Sequence, residues 1–287
     1  MTVGFIGFGE ACSSIALGLH REGMERIVFY DAMQNDLRQH FAEKAAACGG
    51  EQLPTASDVA RQAEVVISVT PSNFAVSAAE GTLEGIQAGT LFLDASTATP
   101  IEKKKIAAMV EARGALFTDG AMMGALLKDR HQVPMLLSGK GAAALKEKMS
   151  PYHTRMDIVG NEPGTATSIK FIRSITAKGL SCLLIESLQT AQRFGVEKMI
   201  VDSFLDTFGP DFIKIIDGYI SGAIIHSVRR EHEMANVVDF LKSEGLPYTM
   251  AEATRQKLHW VQAQGIKEHF ENGVPRDWGK VLEGWAL

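Results

Sequence analysis

Residues 3–19 read VGFIGFGEACSSIALGL, and this stretch decides the fold. An apolar run that suits a strand leads into Gly7 and Gly9, and an apolar pattern of helical period comes next. In the turn G-x-G-x-x-G, the first glycine permits the tight turn, the second admits a pyrophosphate, and the third lets helix and strand pack closely. Cys12, a small residue, takes the third place. The stretch predicts a dinucleotide-binding turn; a strand-to-helix turn that holds no ligand is the alternative.

A second predicted strand, RIVFYD at 26–31, ends in Asp31, which lies 22 residues beyond Gly9. An acid at this place accepts hydrogen bonds from ribose hydroxyls and repels a 2′-phosphate, so NAD is expected and NADP is the less favoured cofactor. The N–H groups that open the following helix suit the pyrophosphate. The cofactor-binding residues predicted here are Gly7, Phe8, Gly9, Glu10, Ala11 and Asp31.

Strand-like and helical segments alternate along the first half of the chain, as in EVVISVTP at 64–71 and IEKKKIAAMVEARG at 101–114. This alternation predicts an α/β Rossmann domain over 1–163, with a doubly wound parallel sheet covered on both faces. After the Pro163-Gly164 break the pattern is helical, and one apolar face runs through to Gly195. A long interdomain helix therefore opens a second, all-α domain over 164–287.

Composition excludes several classes of partner. The net charge is −5 and no basic tract is present, so neither nucleic acid nor an anionic membrane is expected as a partner. The three cysteines are far apart, which indicates neither disulfides nor a zinc site, and no metal is expected. The opening apolar run is too short and polar for a signal peptide or a membrane span. We therefore expect a cytoplasmic protein.

Four motifs occur together in one order: VGFIGFGEA, DASTATP at 94–100, DGAMMG at 119–124 and GTATSIKFIRS at 164–174. In that order and spacing the chain resembles the 3-hydroxyisobutyrate and 6-phosphogluconate dehydrogenase superfamily over nearly its whole length. Its C-terminal half resembles a bacterial branch with its own C-terminal domain. The resemblance implies a homodimer built by the helical domain, and a cleft between the domains where a small hydroxy acid meets the nicotinamide.

The resemblance implies that Lys170 is the catalytic lysine. Oxidation of an alcohol by NAD needs a base for the hydroxyl proton, and a partly desolvated lysine can act as one. Lys170, Ser174 and Lys178 are spaced by four, with Arg173 beside them, so this face of the helix could hold an anionic substrate. A solvated basic edge is the alternative.

DASTATP comes after a predicted strand, at the sheet edge where α/β proteins bind ligands. The resemblance implies that Thr97 contacts the cofactor and that Ser96 lines the active site; an N-cap for the next helix is the alternative or additional role. Thr70 and Pro71, in VTPS at 69–72, are expected beneath a ribose, or else form an ordinary X-Pro turn.

The chain departs from the superfamily at two substrate-binding positions. Met123-Gly124-Ala125 stands where most members have Ser-Gly-Gly, so a hydroxyl that binds the substrate carboxylate is replaced by a thioether. Ser174 stands in place of the usual asparagine. Arg173 could take over recognition of the anion, because a guanidinium binds a carboxylate or phosphate with two hydrogen bonds.

The stretch SVRREHEM at 227–234 has helical period. Counting back from Gly245 puts His232 and Glu233 where the superfamily has a pair that faces the nicotinamide, while Arg229 and Arg230 suit a solvated face. Trp260, Trp278 and Trp285 suit a core or a dimer contact. The predicted substrate-binding residues are Ser96, Met123, Gly124, Arg173, Ser174 and His232.

These residues predict an NAD-dependent oxidoreductase that moves hydride between nicotinamide and a hydroxy- or polyhydroxy-acid. Oxidation of a 3-hydroxy acid gives a β-keto acid, so decarboxylation or isomerisation could come next. The alternatives are an imine or ketone reductase on the same fold, which Lys170 disfavours, and a dinucleotide-binding protein whose catalysis is altered.

Overall fold

The computed structural model of the chain describes residues 1–33, 38–270 and 273–285. The chain divides into two compact units, Met1–Lys170 and Phe171–Leu287. We call them the first and the second unit. The division falls inside a long helix, whereas the sequence pattern places the domain boundary just before it, at 163/164.

In the described part of the first unit, eight strands form one sheet: β1 (Thr2–Ile6), β2 (Arg26–Tyr30), β3 (Gly50–Gln52), β4 (Val65–Ser68), β5 (Leu91–Asp94), β6 (Leu116–Met122), β7 (Met135–Ser138) and β8 (Met156–Gly160). The helices that begin in this unit are α1 (Glu10–Arg21), α2 (Arg38–Cys48), α3 (Ala56–Gln62), α4 (Ala75–Glu80), α5 (Pro100–Glu111), α6 (Leu126–Asp129), α7 (Ala142–Met149) and α8 (Thr165–Phe194).

The sheet order is β3-β2-β1-β4-β5-β6-β7-β8, and the strands from β3 through β6 are parallel. The chain reverses its winding direction between β1 and β4, which is where doubly wound sheets bind ligands. The predicted Rossmann fold is confirmed. One detail differs: β7 pairs antiparallel with β6, because the link between them is short and holds only α6 and a 3₁₀ turn at Arg130–Gln132. β8 is parallel to β7.

Strand side chains alternate between two core layers, one on each face of the sheet. In β1, Val3 and Phe5 join the layer that includes α1 and α7, while Ile6 joins the layer of α3 and α5. In β5, Leu93 joins the layer of α1 and α7, and Phe92 joins the layer of α3 and α5. Burial on both faces explains why these strands are almost continuously apolar.

The second unit is helical in its described residues. After α8 come α9 (Glu197–Phe208), α10 (Phe212–Ile225), α11 (Ser227–Ser243), α12 (Thr249–Ala263) and α13 (Trp278–Glu283). Its core includes Trp285, which stacks on Trp260 with ring centroids 5.8 Å apart, and Trp278 packs against the same core. Within the described residues, no helix combines the length and the apolar character needed to cross a membrane.

Candidate active site

The glycine turn lies at the carboxyl end of β1. Gly7 has φ +80°, a left-handed conformation that glycine adopts without strain, and its N–H donates to the Tyr30 carbonyl at 2.9 Å. A Cβ on Gly7 would lie 3.1 Å from Thr70 Cγ2 and 3.3 Å from the Val69 carbonyl oxygen. The turn is therefore pressed against the end of β4, at the switch point of the sheet.

Asp31 is held beside this turn by backbone donors. Its Oδ2 accepts from the Phe8 N–H at 2.6 Å, and its Oδ1 accepts from the Met33 N–H at 2.8 Å. A carboxylate has about four acceptor positions, so it can still bind hydroxyls. Lys44 of α2 is also close, with Nζ 3.4 Å from the Phe8 carbonyl oxygen. The sequence pattern did not single out Lys44.

The first turn of α1 has no side-chain cap at its N-cap, Gly9. Other helices of the chain do have one: Thr55 caps α3 and Thr99 caps α5. A Cβ on Gly9 would meet no atom within 4 Å, and Glu10 is exposed beside it. Uncapped backbone N–H groups next to open space fit the pyrophosphate of a dinucleotide.

The other residues of the turn have distinct roles. Phe8 is fully buried and stacks on Phe29 with centroids 3.8 Å apart, so only its backbone is available to a ligand. Ala11 is partly buried on the first turn of α1. Cys12 is fully buried, and burial raises the pKa of its thiol. The third place of the motif is thus a packing contact between helix and sheet.

Two hydroxyls at the end of β4 are buried without a hydrogen-bond partner in the described chain: Ser68 Oγ and Thr70 Oγ1. Such groups are costly unless a water or ligand meets them. Thr70, a predicted cofactor-binding residue, is the one that contacts the glycine turn. Pro71 follows it and precedes a short 3₁₀ helix at Ser72–Phe74.

The segment after β5 forms a tight local turn. Ser96 is 3% exposed, its N–H donates to Asp94 Oδ1, and its Oγ accepts from the Ala98 N–H. Thr97, next to it, is partly buried. The cap of α5 is Thr99, which forms a capping box with Glu102, so the expected N-cap role of Ser96 and Thr97 is wrong.

Met123 and Gly124 come directly after β6. The Met123 N–H donates to the Pro134 carbonyl at 2.7 Å, and its side chain is partly buried. Gly124 is exposed, but a Cβ there would lie 2.7 Å from Pro134 Cδ. Glycine is required here by the close approach of the chain that returns to β7.

A buried ion cluster lies at the carboxyl end of β5 and beside it in the middle of β6, where Asp119 pairs with Asp94. Lys103 of α5 is fully buried, with Nζ 3.4 Å from Asp94 Oδ2, 3.3 Å from Asp119 Oδ1 and 2.7 Å from the Asp94 carbonyl oxygen. Both carboxylates are fully buried too. The sequence motifs contain Asp94 and Asp119, but the pattern assigns neither residue a role.

Asp119 also caps the start of α8. Its Oδ2 accepts from the N–H groups of Gly164 and Thr167 and from Ser138 Oγ, and its Oδ1 accepts from Thr167 Oγ1 at 2.7 Å. These contacts tie the first turn of α8 to the middle of β6. Lys170 lies three residues after Thr167, on the next turn, and is partly buried.

In the second unit, α8 continues with two of the predicted substrate residues. Arg173 is exposed, whereas Ser174 is partly buried and accepts a hydrogen bond from Lys178 Nζ at 3.2 Å. Lys178 also pairs with Glu233 of α11 at 2.9 Å. Burial lowers the pKa of Lys178, with Glu233 opposing this effect.

The predicted residue His232 lies on α11 beside Glu233. It is exposed, and its Nδ1 lies 2.9 Å from the Val228 carbonyl oxygen on its own helix. The neighbouring Glu233 makes the contacts with Lys178 and with Arg229, whose Nη1 is 2.8 Å from Oε1. Arg230, expected on a solvated face, is partly buried, and burial lowers the pKa of its guanidinium.

Comparison with known families identifies the first unit. The model of the NAD binding domain of 6-phosphogluconate dehydrogenase matches residues 2–154, and a domain of unknown function, DUF1932, matches residues 191–261. The chain belongs to the 6-phosphogluconate dehydrogenase-like family of NAD-binding proteins, as the sequence motifs indicated. It is a hydroxyacid-dehydrogenase-like oxidoreductase with a dinucleotide cofactor.

Individual relatives agree with this assignment. A conserved hypothetical protein from Sinorhizobium meliloti 1021 has 30% identity and a TM-score of 0.79, over 99% of this chain and 95% of that one. Rat mitochondrial 3-hydroxyisobutyrate dehydrogenase is 34% identical over 42% of this chain, which is 36% of that enzyme. 3-Sulfolactaldehyde reductase of Escherichia coli K12 is 23% identical over 98% of this chain and 94% of that enzyme.

Proposed function

We propose that this chain is an NAD-dependent dehydrogenase that interconverts a hydroxy acid and its oxo acid, with Lys170 as the general acid–base. The observation that carries the proposal is the ordered start of α8. Asp119 fixes the first turn of this helix to the sheet edge where the uncapped glycine turn also lies. This arrangement supports the proposal that Lys170, on the next turn of α8, lies near a bound nicotinamide.

The preference for NAD is proposed from Asp31. Its carboxylate is held in place by the N–H groups of Phe8 and Met33, and its negative charge opposes a 2′-phosphate. Gly7, Gly9 and the first turn of α1 would hold the pyrophosphate, while Thr70 and Thr97 would lie near the ribose or the nicotinamide. When bound, the dinucleotide supplies the hydride acceptor for oxidation or the hydride donor for reduction.

In the proposed reaction, Lys170 transfers one proton to or from the substrate oxygen. In oxidation its amine takes the proton from the substrate hydroxyl, and hydride leaves the carbon that bears this hydroxyl, so the alcohol becomes a carbonyl. In reduction its ammonium returns that proton to the alkoxide oxygen. Ser174, one turn further along α8, suits a hydrogen bond to the substrate.

The substrate is proposed to be a small acid, because two cationic side chains, Arg173 and Lys178, flank Ser174 on α8. In the first unit, Ser96 and Gly124 come after the neighbouring strands β5 and β6. Met123 gives an apolar wall in place of a hydroxyl, which favours a substrate larger or less polar than 3-hydroxyisobutyrate there.

The test is a panel of hydroxy and polyhydroxy acids assayed with NAD and NADP, and then Lys170→Met is assayed on every substrate found. General acid–base catalysis predicts a fall in kcat of about 10²–10⁴-fold with unchanged NADH binding. Lys104→Met, at an exposed site on α5, is the matched control, and it is expected to leave kcat and NADH binding unchanged. If Lys170→Met keeps kcat within about tenfold of the wild type, the assigned role is wrong. Tight NADH binding without turnover of any acid favours the binding-protein alternative.

We also propose that the protein is a homodimer, joined through an apolar face of the second unit. This face is defined by Leu183 and Phe194, which are 54% and 75% exposed and line a groove of 420 Å³ between α8 and α9. Exposed apolar patches of this kind mark protein interfaces. Phe194→Glu is expected to give a monomer in analytical ultracentrifugation, whereas Arg193→Glu at the neighbouring position keeps the dimer. A wild-type monomer refutes the proposal.

A further inference from the structure

One buried lysine of the first unit is not used by the proposed mechanism. Lys103, on α5, is 0% exposed, and its ammonium meets three oxygens: Asp94 Oδ2 at 3.4 Å, Asp119 Oδ1 at 3.3 Å and the Asp94 carbonyl oxygen at 2.7 Å. An ammonium has three N–H donors, so these three oxygens are enough to take all of them. The role of Lys103 therefore lies in what the two aspartates hold.

The two aspartates belong to a polar row that crosses the sheet. Asp94 of β5 and Asp119 of β6 are neighbours in register, and the row continues to Ser68 of β4 on one side and Ser138 of β7 on the other. All four side chains are buried. Buried charges are unfavourable unless they are paired, and Lys103 supplies the cation for both carboxylates.

Asp94 fixes the turn that follows β5. Its Oδ1 accepts from the Ser96 N–H at 2.9 Å, and Ser96 Oγ accepts from the Ala98 N–H at 3.2 Å. We call residues 94–98 the Ser96 turn. Lys103 bonds both the carboxylate and the backbone carbonyl of Asp94, so it holds this turn at its base.

Asp119 fixes the start of α8. Its Oδ2 accepts from the Gly164 N–H at 3.1 Å and from the Thr167 N–H at 3.0 Å. A negative charge is favourable at a helix N-terminus, so this carboxylate is bound on one side by α8 and on the other by Lys103. Lys170 lies on the next turn of the same helix. One ammonium thus links the Ser96 turn to the helix that carries Lys170.

A buried ion cluster is weak evidence for stability, because well-packed apolar side chains in its place are often neutral or stabilising. The best-supported use of such a cluster is to specify one arrangement of the chain. Precise arrangement matters for catalysis, since a displacement of about 1 Å at a reacting group can lower the rate by about 100-fold. The geometry around Lys103 therefore indicates a role in positioning.

We propose that Lys103 is a positioning residue that holds the Ser96 turn and the first turn of α8 in one fixed arrangement, so that Lys170 is presented to the substrate. This inference rests on the proposed function, because it takes Lys170 as the general acid–base. Every residue in it, from Asp94 to Lys170, lies in the first unit. Lys103 acts through the two aspartates and not by contact with the substrate.

The first test measures the Lys170 amine without substrate. Acetylation by acetic anhydride, read by mass spectrometry, gives its labelling rate relative to the exposed Lys104 across a range of pH. Thr167→Val removes the hydroxyl that donates to Asp119 Oδ1 at 2.7 Å and keeps the size of the side chain. Because Lys170 is partly buried, loosening of this turn is expected to raise its relative rate. Thr167→Ser, which keeps the hydroxyl, is expected to match the wild type. An unchanged rate in Thr167→Val overturns the proposal.

The second test asks whether Lys103 holds both segments. In Lys103→Met, hydrogen exchange is expected to speed up at residues 96–98 and at residues 164–167 together, whereas Thr167→Val affects only the second segment. Lys105→Met is the matched control, because this lysine is also on α5 and its ion pair with Glu80 is exposed. Faster exchange at only one of the two segments in Lys103→Met contradicts a common anchor. Thr167→Val keeps every charge, so it decides the question if Lys103→Met does not fold.

The third test is turnover of the acid that the panel identifies, measured per folded molecule well below the melting temperature. Positioning predicts that Thr167→Val lowers kcat by about 10–100-fold with an unchanged KM for NAD, and that Thr167→Ser restores it. Thr207→Val is the matched control, because this exposed threonine of α9 bonds only within its own helix, to the Ser203 carbonyl oxygen. A purely structural role leaves kcat per folded molecule unchanged in Thr167→Val, and this result refutes the proposal.

The positioning role and the proposed function fail separately. Labelling and hydrogen exchange need no turnover, so they report on Lys103 even where catalysis is lost. If Lys170→Met is fully active, the acid–base role is wrong, while a raised labelling rate of Lys170 in Thr167→Val still supports the anchor. If Lys170→Met is inactive and Thr167→Val has the kcat of the wild type, the anchor is wrong and the acid–base role stands.

Discussion

Substitution of Asp119 by asparagine tests the cluster that anchors α8. The amide keeps the shape of the side chain and one acceptor oxygen, which can still receive the N–H groups of Gly164 and Thr167. Its NH₂ group then occupies the place of Oδ1, where Lys103 Nζ lies 3.3 Å away. The variant therefore removes the charge pair, and the Thr167 hydroxyl that donates to Oδ1 has to turn and accept from the amide instead.

The variant is expected to lose stability because the ion pair that it breaks is buried. Removing one partner of a buried ion pair costs about 3–5 kcal/mol, and the lower end applies because Lys103 keeps Asp94. About 3 kcal/mol corresponds to a fall in Tm of about 6–12 °C for a unit of this size. Hydrogen exchange of the amides at 164–167 should also speed up, because the acceptor that caps them is weakened.

The assay is thermal unfolding measured by far-UV circular dichroism, together with exchange measured by mass spectrometry. Tryptophan fluorescence is a useful second probe, because Trp260, Trp278 and Trp285 all lie in the second unit. Asp157→Asn, at a site that is 81% exposed, is the control and is expected to leave Tm unchanged. A Tm for Asp119→Asn within about 2 °C of the wild type refutes the reasoning.

The same cluster predicts non-additive effects. Lys103→Met leaves the carboxylates of Asp94 and Asp119 buried without their cation, so we expect it to be at least as costly as Asp119→Asn. The double variant should be less destabilised than the sum of the two by about 1 kcal/mol or more, as expected for groups in contact. Strict additivity means that the two residues do not interact.

Three other predictions concern the first unit. Gly18→Ala places a Cβ against the His131 ring, so it should lower stability by about 1–3 kcal/mol in urea unfolding, and a neutral outcome contradicts the packing. Asp31→Ser should narrow the preference for NADH over NADPH in fluorescence titrations, and an unchanged ratio removes Asp31 from cofactor selection. Burial lowers the pKa of His131, with Glu22 opposing, so NMR titration should give a value below the ordinary 6.5. The unfolded chain then takes up the proton first as pH falls, and stability should decrease below about pH 6.5 unless His131 is replaced by glutamine.

The sequence predicts the central fold because its signals are local. The apolar runs of β1, β2, β4, β5 and β6 and the long pattern that becomes α8 all appear at their places. β3 and β8 are not predicted from the sequence. They are edge strands: β3 (GEQ) is short and polar, and β8 (MDIVG) has only one buried residue, so neither has the buried apolar run of a central strand. The antiparallel pairing of β7 depends on the length of the link that precedes it.

The site is harder to predict because its decisive contacts join distant residues. Asp119 and Thr167 are 48 positions apart, and Lys178 meets Glu233 across α8 and α11. The sequence around Asp119 does not show which groups its carboxylate meets, and RREHE resembles a solvated run of charge. Only tertiary packing reveals that Asp119 is fully buried and that Arg230 is partly withdrawn from water. The roles assigned to Lys170, Ser96, Thr97 and His232 stay predictions.

The continuity of α8 across both units limits how relatives of this protein can be recombined. Each residue inserted into an α-helix rotates the remainder of that helix by about 100° and advances it by about 1.5 Å. A chimera joined within α8 must therefore preserve the helical phase between Lys170 and Lys178. One extra alanine between these two lysines should impair turnover, whereas the same insertion in a surface loop should be tolerated.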